Sequence, residues 1–261
     1  AILGILGIGK SMLAIELVER MIAEGIKVIC IDLTDQYSQQ LSDFYDPIWS
    51  ENCLEKIHEA GNYNSSAIDN SPKHGGSLPH LTQALENDIE DFIHNDFNHY
   101  LKIYNPSELT GTKQKTAPKS YESYTDEGAK KWERSAPIWD LTPVEITSII
   151  TEATLKNVQD KMSSTARVCL VFEEAHSLVP EWSSAADEGD KFATNKTSRA
   201  ILQGRKYGLG CLLITQRTAN VTKTILNQCN SIFASRSFDD TRKALLATYI
   251  GSEYPSKFTA L

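Results

Sequence analysis

The chain has 261 residues, of which 41% are hydrophobic and 23% charged, and its formal net charge is −8. This composition is typical of a globular protein with one large core, and no apolar run approaches the roughly 20 residues of a membrane-spanning helix. The acidic balance excludes a protein that coats nucleic acid unaided, so any contact with nucleic acid must be local. None of the five cysteines forms a CxxC pair, which disfavours zinc and redox sites and favours a reducing, cytoplasmic compartment.

The first motif along the chain is GILGIGKS, residues 4–11, which fits the pattern G-x-x-x-x-G-K-S. In such a motif the backbone N–H groups of a glycine-rich turn converge on phosphate oxygens, at the positive end of the helix that follows. Lys10 is expected to reach the β- and γ-phosphates, and the Ser11 hydroxyl to bind Mg²⁺. The residues predicted to bind the nucleotide are Gly4, Gly7, Ile8, Gly9, Lys10 and Ser11.

The next elements alternate between helix and strand. Apolar residues at helical spacing predict a helix over 9–25, which Gly25 ends, and KVICIDL predicts a buried strand over 27–33. Composition turns polar from about 50 to 136, with a helix predicted over 78–97 and a strand at 100–105. We interpret this stretch as an insertion.

A regular pattern returns near Thr142, where Thr142, Pro143 and Glu145 form a capping box at the start of a helix. Further elements are predicted in the order strand, helix, strand, helix, strand and helix, at 167–172, 191–206, 209–215, 221–228, 231–235 and from about 239. Helices alternating with apolar strands predict an α/β fold, with a mostly parallel sheet flanked by helices on both faces.

Two acidic residues, Glu173 and Glu174, directly follow the apolar run VCLVF. Buried carboxylates need partners, because an unpaired buried charge is costly or changes its pKa. A nucleotide site supplies such partners: we expect Glu173 to orient Mg²⁺ and Glu174 to polarise the attacking water. The alternative is a solvated, acidic helix N-terminus.

Three later blocks, FEEAHSLVP, ILQGRKYGLGCLLITQRTANV and TILNQCNSIFASRS, follow in order. With the phosphate motif they resemble the HerA family of hexameric DNA-translocating ATPases, in the HerA/FtsK superfamily, over residues 1–35 and 167–245. The resemblance implies an ATP-dependent, RecA-like P-loop core spanning 1–261 as a single domain. It also implies that the family's N-terminal β-barrel and C-terminal segments lie outside this chain.

Individual roles also follow from the resemblance. Gln216, after the strand beside the acidic strand, is similar to the family's sensor of γ-phosphate or water, and the alternative is an ordinary polar strand end. Arg205 in GRKYG resembles the finger that reaches a neighbouring subunit's nucleotide, and the alternative is a surface salt bridge. His176 is expected to be a structural hydrogen bonder without a chemical role.

Two functions remain open at this point. The first is an ATP-hydrolysing homohexameric motor that translocates on or unwinds DNA; the second is an ATPase ring that activates an effector, a nuclease or a sirtuin-like NAD-consuming enzyme, in antiphage defence. A small-molecule kinase is disfavoured, because Glu174 is placed to activate water. Residues 112–134 carry lysines between aromatic residues, a pattern suited to DNA contact, although a solvated loop fits their mixed charge better.

Overall fold

The computed structural model describes residues 1–3, 9–66, 79–109, 121–124, 130–133, 141–160, 162–183, 188–217 and 220–234. Its strands are β1 (Ile2–Leu3), β2 (Lys27–Ile31), β3 (Leu101–Tyr104), β4 (Tyr121–Tyr124), β5 (Lys130–Glu133), β6 (Ser163–Phe172), β7 (Tyr207–Thr215) and β8 (Phe233–Ala234). Its helices are α1 (Lys10–Ala23), α2 (Gln36–Gln40), α3 (Pro47–Ser66), α4 (Pro79–Glu90), α5 (Pro143–Val158), α6 (Ala175–Leu178), α7 (Glu188–Gly204) and α8 (Lys223–Leu226). A π-helical turn, Asp91–Asn95, continues α4.

The main sheet has six strands in the order β3-β2-β6-β7-β1-β8, and every neighbouring pair is parallel. Its central strands are apolar on both faces. In β2, Val28 and Cys30 pack against α1, whereas Ile29 and Ile31 pack into the core that contains α4 and α5. This two-sided burial explains why the central strands read as continuous apolar runs.

Part of the polar stretch at 50–136 belongs to this architecture. β3 pairs in parallel with β2, and Ile57, Leu85 and Phe92 from α3, α4 and the π-helical turn are fully buried in the main core. Residues 61–66, which composition predicts as loop, are the last turns of α3. The backbones of β4 and β5 form an antiparallel pair within the stretch predicted as a solvated loop.

Local signals set several helix ends as predicted. The Thr142 hydroxyl accepts from the Glu145 N–H at 3.2 Å, and the Glu145 carboxylate accepts from the Thr142 N–H at 2.8 Å, which completes the capping box of α5. The Thr142 hydroxyl also donates to Asp190 at 2.6 Å, which ties α5 to α7. The helix expected from about 239 lies outside the described residues.

The start of β7 requires a glycine. Gly208 has a φ of 77°, and a Cβ at this position would lie 2.6 Å from the backbone oxygen of Thr165. Any other residue would therefore be strained both by its backbone conformation and by contact with β6. This geometry fixes the turn that carries Arg205.

No helix in the described ranges is long and apolar enough to cross a membrane.

Candidate active site

Several of the predicted site residues meet at one edge of the sheet. Glu173 and Glu174 directly follow β6, Gln216 directly follows β7, and six residues separate the end of β1 from the start of α1. β7 lies between β6 and β1, and all three strands are parallel. Their carboxyl ends therefore lie side by side, at the edge where open α/β sheets bind ligands.

The start of α1 fits a phosphate site. Gly9 adopts a left-handed conformation with φ 84° and ψ 20°, and a Cβ there would meet no atom within 4 Å. The Lys10 side chain is only 7% exposed, and its positive charge lowers the pKa of both Glu173 and Glu174. Ser11 lies in the first turn of α1 and is partly exposed. The predicted contacts of Gly4, Gly7 and Ile8 fall outside the described residues.

Glu173 is 4% exposed and is held by the strand next to β6. Its N–H donates to the Ile31 carbonyl oxygen at 3.0 Å, and its Oε2 accepts from the Tyr37 hydroxyl at 2.9 Å. Burial raises the pKa of Glu173 to about 7, and the nearby charge of Asp32 acts in the same direction. The Tyr37 hydrogen bond partly offsets this rise. A cation at this position would remove the cost of ionising Glu173.

Glu174 has different surroundings although it is the next residue. Its Oε1 accepts from the Gln216 side-chain N–H at 2.5 Å, and its Oε2 lies 3.2 Å from Nδ1 of His176. The nearby His176 imidazole is the main cause that holds the pKa of Glu174 below its ordinary value. The pKa of Glu173 is thus raised while the pKa of the adjacent Glu174 is lowered. Different environments of this kind are how proteins give separate roles to paired carboxylates.

Three residues of this network were not predicted for the site from sequence. Asp32, fully buried at the end of β2, accepts from the Tyr37 and Thr34 N–H groups; its position at a strand end was an available signal. For Tyr37 the sequence contains no such signal, because only the turn after β2 brings this residue close to Glu173 at the end of β6. His176 was expected to act as a structural hydrogen bonder, and the structure places it between Glu174 and Thr215, whose hydroxyl lies 3.3 Å from Nδ1.

The segments that follow Glu174 and Gln216 are joined to each other. The Glu181 N–H donates to the Asn220 carbonyl at 2.7 Å, and the Thr222 N–H donates to the Val179 carbonyl at 3.1 Å. These bonds flank an antiparallel bridge between Pro180 and Val221. Backbone hydrogen bonds thus tie the segment after Gln216 to the segment after Glu174.

Arg205 is the one predicted catalytic residue that this edge does not include among the described residues. It lies exposed between α7 and β7, at the amino end of β7, whereas Gln216 follows the carboxyl end. The nine residues of β7 separate the two by roughly 30 Å. Arg205 borders a groove of about 330 Å³ formed with Leu202, Cys211 and Phe233, among other residues.

The donor set suits Mg²⁺ bound together with a nucleotide. Within the described ranges, no group of three or more His, Cys, Asp or Glu side chains is arranged to hold a metal by itself. Mg²⁺ commonly binds through one or two protein oxygens together with substrate phosphates and water. Ser11 and Glu173 would provide such oxygens, beside the positive charge of Lys10.

Comparison with known proteins agrees with this geometry. The family model described as "Helicase HerA, central domain" matches residues 1–224. The chain belongs to this HerA family. The expected family, the RecA-like α/β fold and the class of enzyme, an ATPase, are thereby confirmed.

Among sequence relatives, this HerA-family chain is 29% identical over 101 residues to the protein named "Probable helicase MJ1565" of Methanocaldococcus jannaschii. The alignment covers 37% of this chain but only 18% of that relative.

Among solved structures, it is similar in fold to the genome packaging NTPase B204 of Sulfolobus turreted icosahedral virus 2 in complex with ATP-γS, with a TM-score of 0.53 and 14% identity. That comparison covers 100% of this chain and 85% of the B204 chain. The DNA-packaging ATPase B204 of Sulfolobus turreted icosahedral virus gives a TM-score of 0.52 at 13% identity, with coverage of 100% and 85%.

Proposed function

We propose that this chain is the motor core of a homohexameric ring that hydrolyses ATP to translocate on or unwind DNA. The observation that carries the proposal is the meeting of Lys10, Glu173, Glu174 and Gln216 at the carboxyl edge of β6, β7 and β1. A cation, two carboxylates in different environments and an amide are the groups that hydrolysis of a phosphoanhydride requires.

Each side chain has a distinct task in this proposal. Lys10 neutralises negative charge on the β- and γ-phosphates, and Glu173 with Ser11 holds the metal side of the site. Mg²⁺, when bound with ATP, supplies further neutralisation of phosphate charge. Glu174, kept ionised by His176 and Gln216, orients the attacking water and accepts its proton.

Gln216 links this chemistry to motion. Its side-chain N–H donates to Glu174, and the amide is positioned to exchange this partner for a γ-phosphate oxygen when ATP binds. Because the segment after Gln216 is bonded to the segment after Glu174, the exchange displaces both together. We propose that this paired segment reports the state of the nucleotide to the rest of the ring.

DNA as the substrate is supported by names of similar proteins. The family is described as helicase HerA, and the solved structure of similar fold is a DNA-packaging ATPase. The net charge of −8 requires that DNA contacts be concentrated on a small surface of each subunit, multiplied by the symmetry of the ring.

Assembly is supported by the position of Arg205. Because Arg205 lies exposed and far from the site of its own subunit, it is free to serve a neighbouring subunit's nucleotide, as the resemblance to the HerA family implies. An arginine delivered from the neighbour would stabilise the charge that develops on the transferred phosphoryl group. Under this proposal the active site is complete only at a subunit interface, and ATP turnover rises with protein concentration.

The test of the motor proposal is ATP hydrolysis by the assembled full chain, with and without single- and double-stranded DNA. We expect DNA to stimulate hydrolysis in the wild type and in Glu152→Gln, a control that removes an exposed carboxylate bound to Lys196 at 3.1 Å. Glu174→Gln should remain inactive under all conditions. Hydrolysis that does not respond to DNA would contradict the motor proposal and favour the ring that activates an effector protein.

A further inference from the structure

The proposed metal-side acid of this site, Glu173, is a glutamate whose carboxylate accepts a hydrogen bond from a tyrosine of α2, the helix that follows β2. Tyr37 lies in α2, is 1% exposed, and donates its hydroxyl hydrogen to Oε2 of Glu173 at 2.9 Å. The contact joins residues that are 136 positions apart in sequence. It therefore depends on the pairing of β2 with β6 rather than on local structure.

The turn that carries Tyr37 is itself anchored. The buried carboxylate of Asp32 accepts from the Tyr37 N–H at 3.0 Å, from the Thr34 N–H at 2.8 Å and from the Thr34 hydroxyl at 2.6 Å. Asp35, within the same turn, adopts a φ of 55°. Three hydrogen bonds to the Asp32 carboxylate thus fix this turn, one of them donated by the Tyr37 N–H. The hydroxyl of the fixed Tyr37 then holds the Glu173 carboxylate.

We propose that Tyr37 is a positioning residue that holds the Glu173 carboxylate in the orientation required to bind the Mg²⁺ of Mg-ATP. Glutamate has one more rotatable bond than aspartate, so a glutamate in this role loses more conformational freedom when it binds a metal. A hydroxyl donor that fixes Oε2 removes this freedom before the metal arrives. A carboxylate has about four lone-pair sites, so the single hydrogen bond still leaves capacity for a cation or for water bound to it.

This inference rests on the proposed ATP site and adds a residue to it. Hydrogen-bond partners of metal ligands are worth about 10–100-fold in metal affinity. Tyr37→Phe removes only the hydroxyl and should weaken metal binding by this factor. It should leave nucleotide affinity measured in a chelator within about twofold, because phosphate contacts of Lys10 do not involve Tyr37.

Tyr104→Phe provides a matched control. Tyr104 is also 1% exposed, and its hydroxyl donates to Oδ2 of Asp88 at 2.5 Å. Its ring lies in the core on the other face of the sheet from Tyr37. Both substitutions delete a buried tyrosine–carboxylate hydrogen bond, and only one of these bonds reaches Glu173.

The experiment measures binding of Mn²⁺ by electron paramagnetic resonance to the full chain in the presence of the non-hydrolysable analogue AMPPCP. We expect Tyr37→Phe to raise the Kd of Mn²⁺ by about 10–100-fold and Tyr104→Phe to leave it unchanged. In a Glu173→Gln background, Tyr37→Phe should cause no further loss, since the two residues act through one contact.

Wild-type affinity for Mn²⁺ in Tyr37→Phe, or equal losses in both tyrosine variants, would overturn the positioning role. Thr34→Val keeps the side-chain shape at an exposed position and removes one donor to Asp32; it should give a smaller loss of affinity and tests the inference if Tyr37→Phe does not fold. A wild-type protein that binds no Mn²⁺ with AMPPCP would instead refute the proposed function itself.

Discussion

A complementation experiment between two inactive variants tests whether the active site is shared. Arg205→Ala removes the guanidinium at the amino end of β7, and Glu174→Gln removes the base at the carboxyl edge. If each site takes Glu174 from one subunit and Arg205 from the next, neither variant alone contains a complete site. A mixed ring contains complete sites wherever an Arg205→Ala subunit provides Glu174 and a Glu174→Gln subunit provides Arg205.

The expected recovery follows from geometry and counting. The roughly 30 Å along β7 between Arg205 and Gln216 exceeds the reach of an arginine side chain, so Arg205 cannot serve its own subunit. In a random equimolar mixture, roughly one quarter of the interfaces of a symmetric ring combine an intact acid with an intact arginine. Arginine fingers in related phosphoryl transfers contribute about 10³–10⁵ in rate, so this recovery stands far above the activity of either variant alone.

The assay is steady-state ATP turnover after subunits are dissociated, mixed and reassembled, with mass spectrometry to verify mixed rings. Preassembled rings combined without exchange provide the control and should remain inactive. No recovery in verified mixed rings, or full wild-type activity in dilute monomer, would refute a site shared between subunits and leave Arg205 as a surface residue.

Further predictions concern the phosphate site, the buried Glu173 and the glycine at the start of β7. Lys10→Ala should abolish ATP turnover and weaken ATP binding by at least about tenfold; wild-type turnover would remove Lys10 from the mechanism, and Lys56→Ala provides the control. Burial raises the pKa of Glu173 to about 7 from 4.5. Between these two pKa values the metal-free folded protein binds more protons than the unfolded chain, so the folded state loses stability as pH rises from the lower value to the higher. Glu173→Gln should therefore gain about 2–3 kcal/mol in unfolding free energy relative to wild type between pH 5 and pH 8, measured in chelator, whereas a difference independent of pH would contradict the burial effect. Gly25→Ala should lower the unfolding free energy by about 1–2 kcal/mol, because Gly25 has a positive φ but an added Cβ would meet no atom. Gly208→Ala should lower it by more, because a Cβ there would also contact β6. Equal losses in thermal unfolding would show that this contact has no effect.

Much of the fold could be predicted because its signals are local. β2 and the second half of β6, residues 168–172, are apolar runs because both faces of the sheet are buried there. The capping box of α5 is evident in the sequence from Thr142 and Glu145. The carboxyl-edge rule for parallel sheets then places Glu173, Glu174 and Gln216 together.

Other features depend on contacts that a single sequence does not display. The hydrogen bond from Tyr37 to Glu173 joins residues 136 positions apart, and the left-handed backbone of Glu174, with φ 51°, has no signal in the sequence. The end of α3 has a polar composition typical of loops, and local propensity is a weak guide where a helix is already established. The proposed role of Arg205 involves a contact with another subunit, which the sequence of one chain does not display.

Single-turnover hydrolysis tests the central claim, that the edge formed by Lys10, Glu173, Glu174 and Gln216 is a catalytic site for ATP. Radiolabelled ATP and Mg²⁺ are added to excess full-length chain, and the bound nucleotide is identified over time, with Glu174→Gln measured in parallel. We expect the wild type to convert bound ATP to ADP, and Glu174→Gln to bind ATP with similar affinity and retain it, with a rate lower by about 10²–10⁴. Equal rates of ATP conversion to ADP by the two proteins would contradict the assignment of Glu174 as the base. They would also contradict the hypothesis that this edge of the sheet is the catalytic site.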